Sequence, residues 1–178
     1  MVKLANNTTV SGINFEMTEL NEELVVRDIP KPPAGIYGDN LAGQINITNN
    51  NFNNLIEAIY INDFAGNSQV KIDNNNFNEV MQGVMIDTNS YIGESTTLQN
   101  SLPTLDISIT DNNMKDIIGN GIYTDIDGYT INNLEINDNY VNTGDLRETM
   151  LDLYGYVSPL PFEMWGNGIV ANIRNSTI

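Results

Sequence analysis

The chain has no cysteine and no histidine, which removes disulfides, thiolate nucleophiles, structural zinc sites and imidazole bases. Acid–base chemistry is left to carboxylates, lysine, arginine and tyrosine. Basic residues are scarce as well: 7 Lys and Arg stand against 23 Asp and Glu, a formal charge of -16. A polyanionic nucleic acid is therefore excluded as a partner. No apolar run approaches the ~20 residues needed to cross a bilayer, so membrane insertion is not expected. The opening Met1-Val2-Lys3-Leu4-Ala5-Asn6 lacks the apolar centre of a secretory signal. Absence of cysteine does not set the compartment, because stacked repeats are stable without cross-links.

Asparagine, in contrast, is abundant and regularly placed. The heptad Ile47-Thr48-Asn49-Asn50-Asn51-Phe52-Asn53 returns at Ile72 to Asn78, at Ile109 to Lys115 and at Ile136 to Asn142. The first interval is 25 residues, and the next two are 37 and 27. A basic period of about 25 with loops as the excess is the signature of a solenoid or propeller. Ile173-Arg174-Asn175-Ser176-Thr177-Ile178 reads as a partial fifth copy. The chain is therefore expected to be a fragment of something longer.

Within each copy, apolar residues alternate, as in Ile45 and Ile47 or Val70 and Ile72. Period two means a strand with one face buried. After an Asn-rich corner come inward Phe52, Phe77, Met114 or Val141, then Leu55, Val80 or Ile117. A second strand follows a small residue: Ala58-Ile59-Tyr60-Ile61, Gly83-Val84-Met85-Ile86 and Gly121-Ile122-Tyr123-Thr124, with Pro161-Phe162-Glu163-Met164 as a fourth. Gly35-Ile36-Tyr37-Gly38 fits a preceding turn. Asn50, Asn75, Asn112 and Asn139 keep a fixed offset from Ile and Phe, where Asn tolerates a sharp left-handed turn. Stacked ~4.8 Å apart, their amides can bond from turn to turn as a ladder.

Through Ile-x-Asn/Asp-Asn-x-Phe followed by Gly-Ile/Val-x-x-Asp, residues 35 to 178 resemble the right-handed parallel β-helix superfamily typified by pectate lyases, polygalacturonases and phage tailspikes. The expected fold is all-β: a right-handed, single-stranded parallel β-helix with about 25-residue turns and one short helical insertion. Residues 1–34 are expected to form an irregular first turn or cap, although Thr8-Thr9-Val10 and Leu24-Val25-Val26 have strand character. Three insertions break the period, at 88–104, 126–132 and 143–160, the last with a helix over Asp145 to Tyr154. The resemblance constrains function poorly, since that superfamily holds lyases, hydrolases, epimerases and noncatalytic surface proteins.

Alternation on the second strand predicts two outward columns: Tyr37, Tyr60, Met85, Tyr123, Glu163, and Asp39, Asn62, Asp87, Asp125, Trp165. Sugars offer C–H faces to aromatic rings and hydroxyls to acidic and amide side chains. An extended glycan is thus the expected ligand, with Tyr60, Asn62, Tyr123, Asp127 and Trp165 binding it. Asp87, Asp125 and Glu163 are the candidate acid, base or transition-state groups. Asp87 and Asp125 should stack ~5 Å apart, and Asp87 and Glu163 roughly 9 to 10 Å apart, near an inverting glycosidase spacing. The close pair should hold a proton or share Ca2+, with Asp127 adding a ligand.

Lys71 falls in another column, beside Asn46, Ser108 and Glu135, and reads as a solvated lysine. A negative face repels uronates, so glycosidase chemistry is favoured over a lyase. Carbohydrate binding is the leading expectation, with cleavage of the bound polysaccharide left open. The alternative is a noncatalytic structural or adhesive β-helix, such as a surface protein or tailspike segment. Either implies an extracellular, cell-surface or virion setting, and a homotrimer or a longer parent chain as the assembly.

Overall fold

Alternating β-branched residues become strands that pair with their own equivalents along the chain. The computed structural model describes residues 1–17, 34–88, 102–143 and 168–177. Among these residues the fold is all-β, with no helix and with parallel strand pairs.

The strand β4 (Ala34–Thr48) shows how a layer is made. Its first limb, through Asp39, and its second, from Gln44, are separated by Asn40 and Gly43, both with positive φ. After the Asn corner comes the short β5 (Asn51–Asn53). The next layer repeats this order as β6 (Glu57–Asp73) and β7 (Asn76–Asn78). Registers Ile36↔Ile59, Ile45↔Val70 and Ile47↔Ile72 bring equivalent residues side by side. In the third layer the two limbs are separate strands, β8 (Gln82–Asp87) and β9 (Thr104–Thr110), followed by β10 (Asn113–Ile117). The fourth comprises β11 (Ile122–Asp127), β12 (Thr130–Asn137) and β13 (Tyr140–Thr143), and β14 (Ile169–Arg174) lies against β11. Such an arrangement is compatible with a parallel β-helix.

The core is therefore a set of columns. Phe52 stacks between Phe15 and Phe77 with ring centroids 4.9 Å apart on each side. Met114 and Val141 continue that column. The column Ala58, Gly83, Gly121, Gly168 is small throughout, and at two places it has to be: a Cβ on Gly83 would lie 2.4 Å from the Gly121 carbonyl oxygen, and one on Gly121 2.7 Å from that of Gly168.

The asparagine ladder has the expected members. Asn50 Nδ2 donates to Asn75 Oδ1 at 3.0 Å, Asn75 Nδ2 to Asn112 Oδ1 at 3.0 Å, and Asn112 Nδ2 to Asn139 Oδ1 at 2.9 Å. Each acceptor oxygen also takes the backbone N–H of the preceding ladder residue. The left-handed residue is one position earlier than expected: Asn49, Asn74, Asp111 and Asp138 have φ between 52° and 58°. The ladder Asn is kept for its amide, and its predecessor makes the turn.

A second left-handed column, Asn54, Glu79 and Asp116, closes each layer after the Phe position. Glu79 at φ 54° lacks the short polar side chain that eases this conformation. Glu79→Asn is expected to stabilise the fold by about 0.5–1 kcal/mol, read as a higher urea midpoint. A lower midpoint would show that Glu79 contributes a contact outweighing its backbone cost.

Several boundaries differ from expectation. The amino-terminal stretch is regular over its described residues. There β1 (Val2–Lys3), β2 (Thr8–Ser11) and β3 (Asn14–Glu16) pair in register with β4 and β5. Gly12 makes the left-handed turn, and the Ile13 N–H donates to Asn50 Oδ1 at 3.0 Å, so a layer forms without a ladder Asn. Ile173 and Arg174 do not open a new Asn corner: they pair with Ile126 and Asp127 as the end of β14. Nor is 126–132 a projecting loop, since Ile126 and Asp127 finish β11, Gly128 turns the chain and Thr130 begins β12. Leu24–Val26, most of the 88–104 insertion and the expected helix within 143–160 lie outside the described residues.

Tyr129 links layers that do not adjoin in sequence. Its hydroxyl donates to Asp63 Oδ1, and its ring meets Phe64 edge-on at 6.1 Å. Burial, then the hydrogen bond and charge of Asp63, push the phenol well above its ordinary pKa. It stays a donor throughout the physiological range.

Candidate functional site

On the first limb the two outward columns form in the expected register as far as the fourth layer: Tyr37, Tyr60, Met85, Tyr123 and Asp39, Asn62, Asp87, Asp125. Their next members are Val170 and Asn172, not Glu163 and Trp165. The physical reason is the Gly column: Gly168-Ile169-Val170-Ala171-Asn172 copies Gly121-Ile122-Tyr123-Thr124-Asp125, with a small residue where backbones come closest. That copy was present in the sequence and is a better match than Pro161–Met164. Glu163 and Trp165 themselves lie outside the described residues.

The middle of the strip is buried where open surface was expected. Tyr60 is 7% exposed, Asn62 6% and Asp125 7%. Its polar groups are also engaged with one another. Asn62 Nδ2 donates to Asp39 Oδ1 at 2.7 Å, and the Tyr60 hydroxyl reaches Asn62 Oδ1 at 3.4 Å. Arg174 Nη2 donates to both Asp125 oxygens at 2.8 Å, while the Tyr123 hydroxyl donates to Asp125 Oδ2 at 3.2 Å. Asp127 Oδ1 accepts from Asn175 Nδ2 at 2.8 Å.

Asp87 and Asp125 do stand side by side in register. The positive charge that accommodates Asp125 comes from Arg174, a residue the sequence reading placed in a corner. Ca2+ at Asp87, Asp125 and Asp127 finds no matching geometry, because among the described residues no three carboxylates converge on a point that could hold a metal. Tyr123 is not a base at neutral pH: burial first, then the Asp125 carboxylate, raise its phenol above the usual value.

The second limb is different in kind. A groove of about 190 Å3 crosses four strands there, lined by Gln44, Gln69, Asp106 and Asn133 and, two residues along, by Asn46, Lys71 and Ser108. Lys71 is not simply solvated: its Nζ lies 3.3 Å from Asp73 Oδ2. The side chains of Gln44, Gln69, Asp106 and Asn133 hydrogen-bond no other described residue. Sequence reading passed over this column because it contains no aromatic ring and only one charge. The usable signal was an outward amide or acid at the same offset in four successive layers.

Comparison with protein-family models, with curated proteins and with solved structures gave no match.

Proposed function

We propose that this chain is a right-handed parallel β-helix with turns of about 25 residues, akin to the pectate-lyase-like and tailspike-like proteins, and that it binds a glycan without cleaving it. Buried, in-register columns closed by an asparagine ladder support the β-helix reading. One observation favours binding over cleavage: both oxygens of Asp125 accept from Arg174. A carboxylate so clamped is a poor general acid or base, because both of its oxygens are turned to a guanidinium and not to a substrate. Among the described residues, the carboxylate in register beside Asp87 is the clamped Asp125, so this pair does not offer the two free carboxylates that glycoside hydrolysis uses. A glycan-binding β-helix of this kind acts at a cell surface, on a virion or outside the cell.

The test is a glycan array together with an assay for newly released reducing ends. Retention of one or more oligosaccharides with no product is expected, and Asp125→Asn should leave retention within about twofold. Product release abolished by Asp87→Asn or Asp125→Asn would make the protein an enzyme and overturn the proposal.

A further inference from the structure

Resting on the glycan reading, we infer that the sugar is seated in the second-limb groove, at Gln44, Gln69, Asp106, Asn133 and Lys71, and that the ligand is a neutral hexose oligosaccharide. The two limbs divide the polar side chains by what they already do. On the first limb, Asp39 is bonded to Asn62, and Asp125 to Arg174 and Tyr123. A ligand there has to displace bonds the protein already makes, and it meets buried Tyr60 and Asn62. On the second limb, the Gln44, Gln69, Asp106 and Asn133 side chains have no protein partner among the described residues and line a concavity. Their hydrogen-bonding capacity is unspent, so a ligand exchanges water for protein contacts without breaking any.

The donor and acceptor pattern sets the ligand class. A primary amide carries both a donor and an acceptor, and a carboxylate accepts only. A pyranose hydroxyl donates once and accepts, so adjacent hydroxyls can bridge Gln69 and Asp106, while Lys71 donates to a ring or hydroxyl oxygen. Strands succeed one another every ~4.8 Å, so a glycan running across the layers meets a fresh polar side chain at each step. Charge excludes the acidic sugars. Lys71 already faces Asp73, Asp106 adds a carboxylate, and the whole chain carries -16. A uronate would be repelled. With no aromatic in either column, recognition is by hydroxyl edges, and binding enthalpy rather than ring stacking should dominate.

The experiment is an amide NMR titration of the full chain with maltohexaose, cellohexaose and mannohexaose, with trigalacturonate as the acidic probe. At least one neutral probe is expected to shift the side-chain amide signals of Gln44, Gln69 and Asn133, and trigalacturonate none. Gln69→Ala and Asp106→Ala should each raise Kd about tenfold, equivalent to ~1.4 kcal/mol, with melting temperature unchanged. Tyr123→Phe, on the other limb, should leave Kd alone. Unchanged Kd in both groove variants would overturn the groove as the seat while the glycan reading stood. Tighter binding of trigalacturonate would overturn the neutral class. Binding by none of the probes, with an empty glycan array, would remove both the inference and the reading beneath it.

Discussion

Asn75→Ala is expected to destabilise the protein by about 4 kcal/mol, since several buried partners are orphaned at once and each costs ~1–3 kcal/mol. Asn75 is 1% exposed. Its Oδ1 accepts from the Asn50 backbone N–H and from Asn50 Nδ2, both at 3.0 Å. Its Nδ2 donates to Asn112 Oδ1 at 3.0 Å and to the Ile47 carbonyl at 2.9 Å. Alanine removes these contacts together with the Nδ2 bond to the Asp73 carbonyl at 3.1 Å, and it orphans the buried partners. The control is the adjacent Asn76→Ala. Asn76 is exposed, and its bond to Asn51 at 3.2 Å competes with solvent, so a loss below about 1 kcal/mol is expected. Urea unfolding of the two variants decides the matter. Equal small losses would mean that the ladder is an ornament of the corner and not its support.

Phe52→Ala should cost about 3–5 kcal/mol, the range for truncating a fully buried aromatic. Phe52 is inaccessible to solvent and sandwiched at 4.9 Å between Phe15 and Phe77. Backbone pairing at Phe15↔Phe52↔Phe77 keeps the layers apart, so the void cannot close by collapse. Phe52→Leu, which retains most of the volume, should lose about 1–2 kcal/mol. Thermal and urea midpoints measure both. A Phe52→Ala loss under ~1.5 kcal/mol would show that the layers settle together, contrary to a column held by its strands.

Much of the fold was legible because a layered β-structure writes its register into the sequence. Ile, Asn and Phe recur at fixed offsets, and a side chain's neighbour across the sheet is its own equivalent one layer away. Legibility failed where an equivalent was chemically unlike its column. Ile13 occupies the ladder position without an amide, so the first layer looked irregular. Val170 and Asn172 were overlooked for the more chemically suggestive Glu163 and Trp165, although the Gly168 spacing pointed to the former.

The candidate site was legible only in part, and for a different reason. Alternation grouped Tyr60 with Tyr123, and Asn62 with Asp87 and Asp125, in columns that the register keeps, but Tyr60, Asn62 and Asp125 are buried where open surface was expected. It could not say that Asp125 is clamped by Arg174, 49 residues away, or that Asn62 is bonded to Asp39, 23 residues away. Repetition within the chain was enough to define strands, corners and columns, because those follow from backbone sterics and from burial of every second residue. Which polar groups satisfy one another, and which stay open to a ligand, was settled only by the folded arrangement. Hydrogen-bond satisfaction depends on angstrom-scale distances between side chains from different layers, and no local pattern of residues carries them.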